Sequence, residues 1–254
     1  MRIFVEYPVG IHPYTRLGHM EALEGARILE RRLQLLSNDI ANVDTVGFKR
    51  QGITFEEYLL SQIDRTKRTA KGELTKIDFS QGTLRETGNP FDFAIEGQGF
   101  FVVQGPDGPL YTRAGNFTLS AQNQLVTMEG YPVLGNGAPI VLEDTTGKGI
   151  WLSHDGRFFV DETDVGSIDV ITFENPQGLM RIGRNLFQAT NAAGAQNPAG
   201  SLVRQGYLED SNVDPLTTMV KLIDLYRAYE AEQKTMLAVD QLDSRAVNDL
   251  GKLG

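Results

Sequence analysis

From Met20 to Ile40 the small and apolar residues Ala22, Ala26, Leu29, Leu33, Leu36 and Ile40 recur with gaps of 4, 3, 4, 3 and 4. That heptad-like seam predicts a helix. Glu24, Arg27, Glu30, Arg31 and Arg32 fall between the apolar positions and supply a wet back, while Leu23, Ile28 and Leu35 lie off the seam and leave a second side to be covered. The helix then runs into SNDIANVDTVGFKR, Ser37 to Arg50. Gly47 alone is enough to stop a helix, so the added Asn, Asp and Thr predict a shaped polar exit rather than a bare terminator.

The other end of the chain mirrors this arrangement. After SNVDP, with Asp214 as N-cap and Pro215 at the first helical position, a helical pattern without internal Gly or Pro runs from Leu216 to about Leu250. Met219, Leu222, Tyr226, Tyr229 and Met236 mark one stripe, and Leu216, Val220 and Ile223 a neighbouring one. A helix of that length spans roughly 50 Å and needs partners beyond its own globule. Between the helices, from about Gly88 to Gly206, short β-branched and aromatic runs such as FDFAIEG, GFFVVQ, GRFFVDE and IDVITFE alternate with Gly, Asn, Asp and Pro. This texture predicts an antiparallel all-β module. The expected fold is therefore α+β, with long N- and C-terminal helices forming a coiled-coil-like domain around a central antiparallel all-β module. Its segments are 1–19, an extension of uncertain status; 20–60, helix and exit loop; 61–87, an extended connector; 88–206, the β-rich outer domain; and 207–254, a C-terminal helix pairing with the N-terminal one.

Composition narrows the function classes. The 254 residues carry a net charge of -9, which opposes a nucleic-acid partner, because phosphate binding needs a basic face. With no cysteine, disulfides, thiol catalysis and cysteine-ligated metals are excluded. The N-terminal apolar burst Ile3–Val5 is cut by Glu6 and Pro8, so it lacks the apolar core of a secretory signal, and no run is long enough to insert in a membrane.

Candidate chemistry is sparse. His12, His19 and His154 are widely separated and read as turn or surface histidines rather than metal ligands. Gly97-x-Gly99 is followed by Phe100, Phe101, Val102 and Val103, a strand where a dinucleotide loop would need a helix, so these glycines predict a turn or bulge. TKRTAKGELTK lacks Walker spacing, and no Gly-x-Ser-x-Gly elbow occurs. The carboxylate pairs Glu56–Glu57 and Asp161–Glu162 are sequence neighbours that point apart. The chain is expected to be no enzyme and to carry no cofactor and no metal.

SNDIANVDTVGFKR resembles the N-terminal signature of bacterial flagellar basal-body rod and hook proteins, in which a helix ends in Asn-x-Ala-Asn-x-x-Thr-x-Gly-[Phe/Tyr]-[Lys/Arg]. Ala41, Asn42, Thr45, Gly47, Phe48 and Lys49 fill that pattern, and Asp39 replaces its commoner second Asn. Four further blocks follow in collinear order: Thr87–Val103, Tyr111–Gly135, Asp155–Phe187 and Tyr207–Met236. They are similar to the FlgF/FlgG type of rod protein, and the length and the ending LDSRAVNDLGKLG resemble the proximal-rod form more than the distal-rod or hook form.

The resemblance implies a structural subunit that polymerises helically into the rod of the flagellar basal body, the drive shaft of motility. It also implies passage through the flagellar type III export apparatus without a cleaved signal peptide. The partners so implied are other rod proteins and copies of the chain itself, with no nucleic acid and no membrane insertion. Candidate subunit-packing residues are Leu29, Leu33, Leu36, Ile40, Asn42, Thr45, Gly47, Phe48, Asn212, Met219, Leu222, Ile223, Tyr226 and Tyr229. Each apolar member, taken singly, reads first as buried within its own chain, and Asn212 with Asp214 reads as a helix cap. Tyr111, Arg113, Gly115, Asn116 and Phe117 read as an interface or a tight hairpin, with Gly115-Asn116 favouring the hairpin. A β-rich binding module with helical dimerisation arms is the alternative of another class.

Overall fold

The computed structural model describes residues 13–59, 69–142, 149–153, 156–161, 163–183 and 185–250, with side chains described throughout these except at 13–24, 53–59, 69–74, 242–243 and 246–250. Two compact units result, Met1–Asn38 with Leu216–Gly254 and Asp39–Pro215. His12 and His154 lie outside the described residues, as do residues 1–12 of the expected extension and 61–68 of the expected connector.

Helix α1 (Pro13–Ala41) is followed by the hairpin β1 (Gln51–Leu59) and β2 (Thr69–Ile77). Next come β3 (Leu84–Glu86), β4 (Phe93–Glu96), β5 (Phe100–Gly105), β6 (Gly108–Thr112), β7 (Thr118–Leu119), β8 (Leu125–Val126), β9 (Leu134–Gly135) and β10 (Ala138–Pro139). The series continues with β11 (Ile150–Leu152), β12 (Arg157–Val160), β13 (Thr163–Ser167), β14 (Val170–Phe173), β15 (Leu179–Ile182) and β16 (Leu186–Ala189). Strands β17 (Gln196–Pro198), β18 (Leu202–Gln205) and β19 (Tyr207–Glu209) lead into α2 (Pro215–Leu250).

A six-stranded sheet in the order β15-β16-β6-β5-β14-β17 is the largest, and β11-β12-β13 form another. The remaining strands pair as β1-β2, β7-β8, β9-β10, β4-β18 and β3-β19. The unbroken apolar run Phe100–Val103 is explained by burial of β5 on both faces. Phe101 and Val103 enter a core with Phe93, Phe117, Leu125 and Phe158, while Phe100 and Val102 enter a second with Tyr111, Phe173 and Phe187. Edge-to-face pairs such as Phe101–Phe117 at 5.3 Å and Tyr111–Phe173 at 4.8 Å give these cores their geometry.

The expected α+β class with a coiled-coil-like domain is overturned. Among the described residues the chain is mostly strand, dispersed over seven small sheets, with two α-helices. The predicted seam of α1 does not close: Leu29, Leu33, Leu36 and Ile40 are only half-buried, whereas Leu35, off that seam, is buried. On α2 the half-buried line is Leu222, Leu225, Tyr229, Met236 and Val239, while Met219, Ile223 and Tyr226 are exposed. The physical reason lies in coverage: the apolar line on α2 keeps a spacing of three and four residues yet is only half-buried, and the further apolar residues Met219, Ile223 and Tyr226 lie off it and are exposed.

Two local expectations also change. Gly115-Asn116 is no hairpin turn, since β6 pairs with β5 and β16 while β7 pairs with β8. Gly115 is small because a Cβ there would meet the Phe93 carbonyl oxygen at 1.7 Å. Gly97 and Gly99, with φ of 112° and 129°, do form the turn into β5.

Candidate functional site

The signature stretch closes α1 through a ladder of short-range bonds. Asn42 N–H donates to the Asp39 carbonyl at 3.2 Å, Val43 N–H to Ile40 at 3.3 Å, Thr45 N–H to Asn42 at 3.1 Å and Phe48 N–H to Thr45 at 3.2 Å. The Thr45 hydroxyl adds a bond to Asn42 Oδ1 at 3.2 Å. Gly47 then turns at φ 67°, and a Cβ there would lie 2.4 Å from the Ala114 amide nitrogen. Both the backbone conformation and the close approach therefore require glycine. Its N–H donates to the Glu209 carbonyl at 2.7 Å, so the turn is tied to the strand that precedes α2 in sequence.

Asn212 completes this tie, and it is not spent on capping. Its Oδ1 accepts from the Arg50 N–H at 2.8 Å, and its Nδ2 donates to the Asp78 carbonyl at 2.8 Å. Asn42, Thr45, Gly47, Phe48 and Asn212 are thus brought together in the β-rich unit. Leu29, Leu33, Leu36, Met219, Leu222, Ile223, Tyr226 and Tyr229 belong to the helical unit, and Ile40 sits half-buried in the last turn of α1.

Beneath the loop lies a charge cluster that the sequence reading did not single out. Lys49 Nζ is 2.5 Å from Glu209 Oε1 with both side chains fully buried. Arg113 Nη1 is 3.2 Å from Glu209 Oε2. Each member is further satisfied: Lys49 donates to the Ser80 carbonyl at 2.6 Å, Arg113 to the Gly97 carbonyl at 2.7 Å, and Glu209 accepts from the Gly82 N–H at 2.9 Å. Burial pulls Lys49 below its ordinary value, and the Glu209 carboxylate works against that pull. The same two causes act on Arg113, with the net effect again downward. Such a cluster favours one geometry, because losing any member strands a desolvated charge.

Arg181 of β15 adds a second clamp. Its guanidinium lies 4.7 Å from the Phe48 ring centre and 5.3 Å from that of Phe187, and it donates to the Lys49 carbonyl. A signal for these residues existed in sequence as Arg113 inside YTRAG and Glu209 inside YLED, charges embedded in strand-like runs. Pattern alone could not join them, since Lys49 and Glu209 are 160 positions apart and Arg113 and Glu209 are 96 apart.

On the helical unit, Leu216, Met219, Val220, Ile223 and Tyr226 follow one another along α2 and are 48% to 76% exposed. No helix among the described residues is long and apolar enough to cross a membrane.

A β-rich body, a helix exit tied to it by hydrogen bonds and an exposed apolar run on α2 are the features of a structural protein. The family described as the flagellar hook protein FlgE/F/G D1 domain matches residues 94–160, and that described as the flagellar basal body rod FlgEFG protein C-terminal matches residues 204–250. The first span contains Arg113, and the second contains Glu209 and all of α2. The flagellar basal-body rod protein FlgF of Mesorhizobium japonicum is 33% identical over 232 residues, covering 91% of this chain and 96% of that protein. FlgF of Caulobacter vibrioides is 34% identical, covering 89% and 94%. FlgG of Agrobacterium fabrum is 33% identical over 254 residues, covering 88% and 95%. The chain belongs to the flagellar basal-body rod protein family and is a structural subunit of the flagellar rod.

Proposed function

We propose that the chain is a FlgF-type, proximal-rod subunit. Alignment lengths favour this reading over FlgG. Alignment with M. japonicum FlgF runs 232 residues and takes in 91% of this chain, whereas that with A. fabrum FlgG runs 254 residues yet takes in only 88%. The FlgG chain therefore carries internal stretches that this one lacks.

The subunit assembles with other rod proteins and with copies of itself, polymerising helically in the rod across the periplasm, and it reaches that place through the flagellar type III export apparatus. The observation that carries the assembly step is the exposed apolar run Leu216, Met219, Val220, Ile223 and Tyr226 on α2. A head-to-tail contact made by such a surface need not close into a ring and so extends as a filament. The role is structural and asks no catalysis of Lys49, Glu209 or Arg113, which are buried.

The test is replacement of the native gene by one encoding Ile223→Asp, scored by swimming and by recovery of the subunit in isolated basal bodies. Loss of both with normal cellular levels of the protein is expected, and normal swimming overturns the assembly reading. Position of a labelled subunit along isolated rods separates the proximal from the distal form: label at the distal end rejects the FlgF assignment in favour of FlgG.

A further inference from the structure

Asp39 stands in the last turn of α1, where the carbonyls of the helix end disfavour a negative charge. Its side chain is 3% exposed. The Gln51 backbone N–H donates to its carboxylate, but Oδ1 is buried with no hydrogen-bond partner. The charged groups facing it are Arg181, from β15, and Arg50, from the segment entering β1. Arg181 is held over Phe48 and Phe187, and Arg50 is paired with Asp78 at 2.7 Å. The signature pattern favours a neutral Asn at this position, so an ionisable group here changes what the loop can respond to.

We propose that Asp39 is a proton-operated latch on the signature loop: neutral, it lets residues 39–51 close; ionised, it sets a desolvated charge against the helix end, and the loop opens more readily. Burial pushes its pKa up to about 6, with the Gln51 amide, Arg181 and Arg50 pulling the other way. The closed loop therefore binds the proton more tightly than the open one. The added stability is fully present below the ordinary carboxylate value of 3.8 and is lost as pH rises through about 6. The latch is a property of this loop and holds whether or not the chain joins a rod.

Amide hydrogen exchange on the full chain between pH 5 and 7.5, corrected for intrinsic exchange rates, tests it. The reporters are the N–H groups of Gly47, Phe48 and Arg50, which bond to Glu209, Thr45 and Asn212. In the wild type their protection is expected to fall by about tenfold from pH 5 to 7.5, and in Asp39→Asn to stay level. Parallel profiles in the two proteins overturn the proposal. Carbon-13 titration of the Asp39 carboxyl in the wild type provides a reading independent of the variant's folding: a midpoint near 6 supports the latch, and one at or below about 4 overturns it.

Discussion

The two units of this chain place their residues in opposite senses. In the β-rich unit Lys49, Glu209 and Arg113 carry charge in the interior, whereas on α2 Leu216, Val220 and Ile223 carry hydrocarbon to the outside. The buried charges are paired with one another, Lys49 and Arg113 both meeting the Glu209 carboxylate, and so favour one geometry. The exposed run on α2 faces solvent instead. Covering a side chain of that kind contributes roughly 1.5–3 kcal/mol, and several together give a drive for association that must still exceed the entropy lost on binding.

The contrast can be broken most forcefully at its buried pole. Glu209→Ala leaves Lys49 and Arg113 without their shared anion and is expected to cost about 3–5 kcal/mol in denaturant unfolding. A change under about 1 kcal/mol would mean that the cluster is solvated rather than buried. Phe101→Ala, deleting a ring from the core beneath β5, is expected to cost about 3–5 kcal/mol on the same measurement. Gly47→Ala combines a positive φ with a backbone clash, and a loss of about 1–3 kcal/mol is expected, visible as a lower melting temperature. At the exposed pole Ile223→Asp is expected to move the stability of the isolated subunit by less than about 0.5 kcal/mol while abolishing assembly. If it unfolds the subunit instead, that face is internal and the contrast between the units fails.

Much of the secondary structure was legible locally. Asp214-Pro215 marks the start of α2 because a cap followed by a proline suits a first helical turn. The apolar quartet Phe100–Val103 marks a strand because β-branched and aromatic residues fit a pleated surface. The polar exit of α1 was also legible: Asn42 and Thr45 bond the nearby backbone, and bonds over three residues are readable from order alone. Periodicity misled where burial has no local signature. The gaps of 4 and 3 in α1 specify which residues share a face but not whether anything covers it, and Leu35, off that seam, is the residue that became buried.

By itself, then, the order of residues determined the family, the two helix positions, the strand-rich middle and the glycine-dependent turn, because each rests on short-range sterics or on a motif. Only the tertiary structure decided that Lys49, Arg113 and Glu209 share one dry site, that Asn212 ties a loop instead of capping a helix, and that Asp39 is buried beside Arg181. Those outcomes depend on groups far apart in the chain meeting in space, and on the cost of desolvating charge once they meet. Neither has a period that a sequence can display.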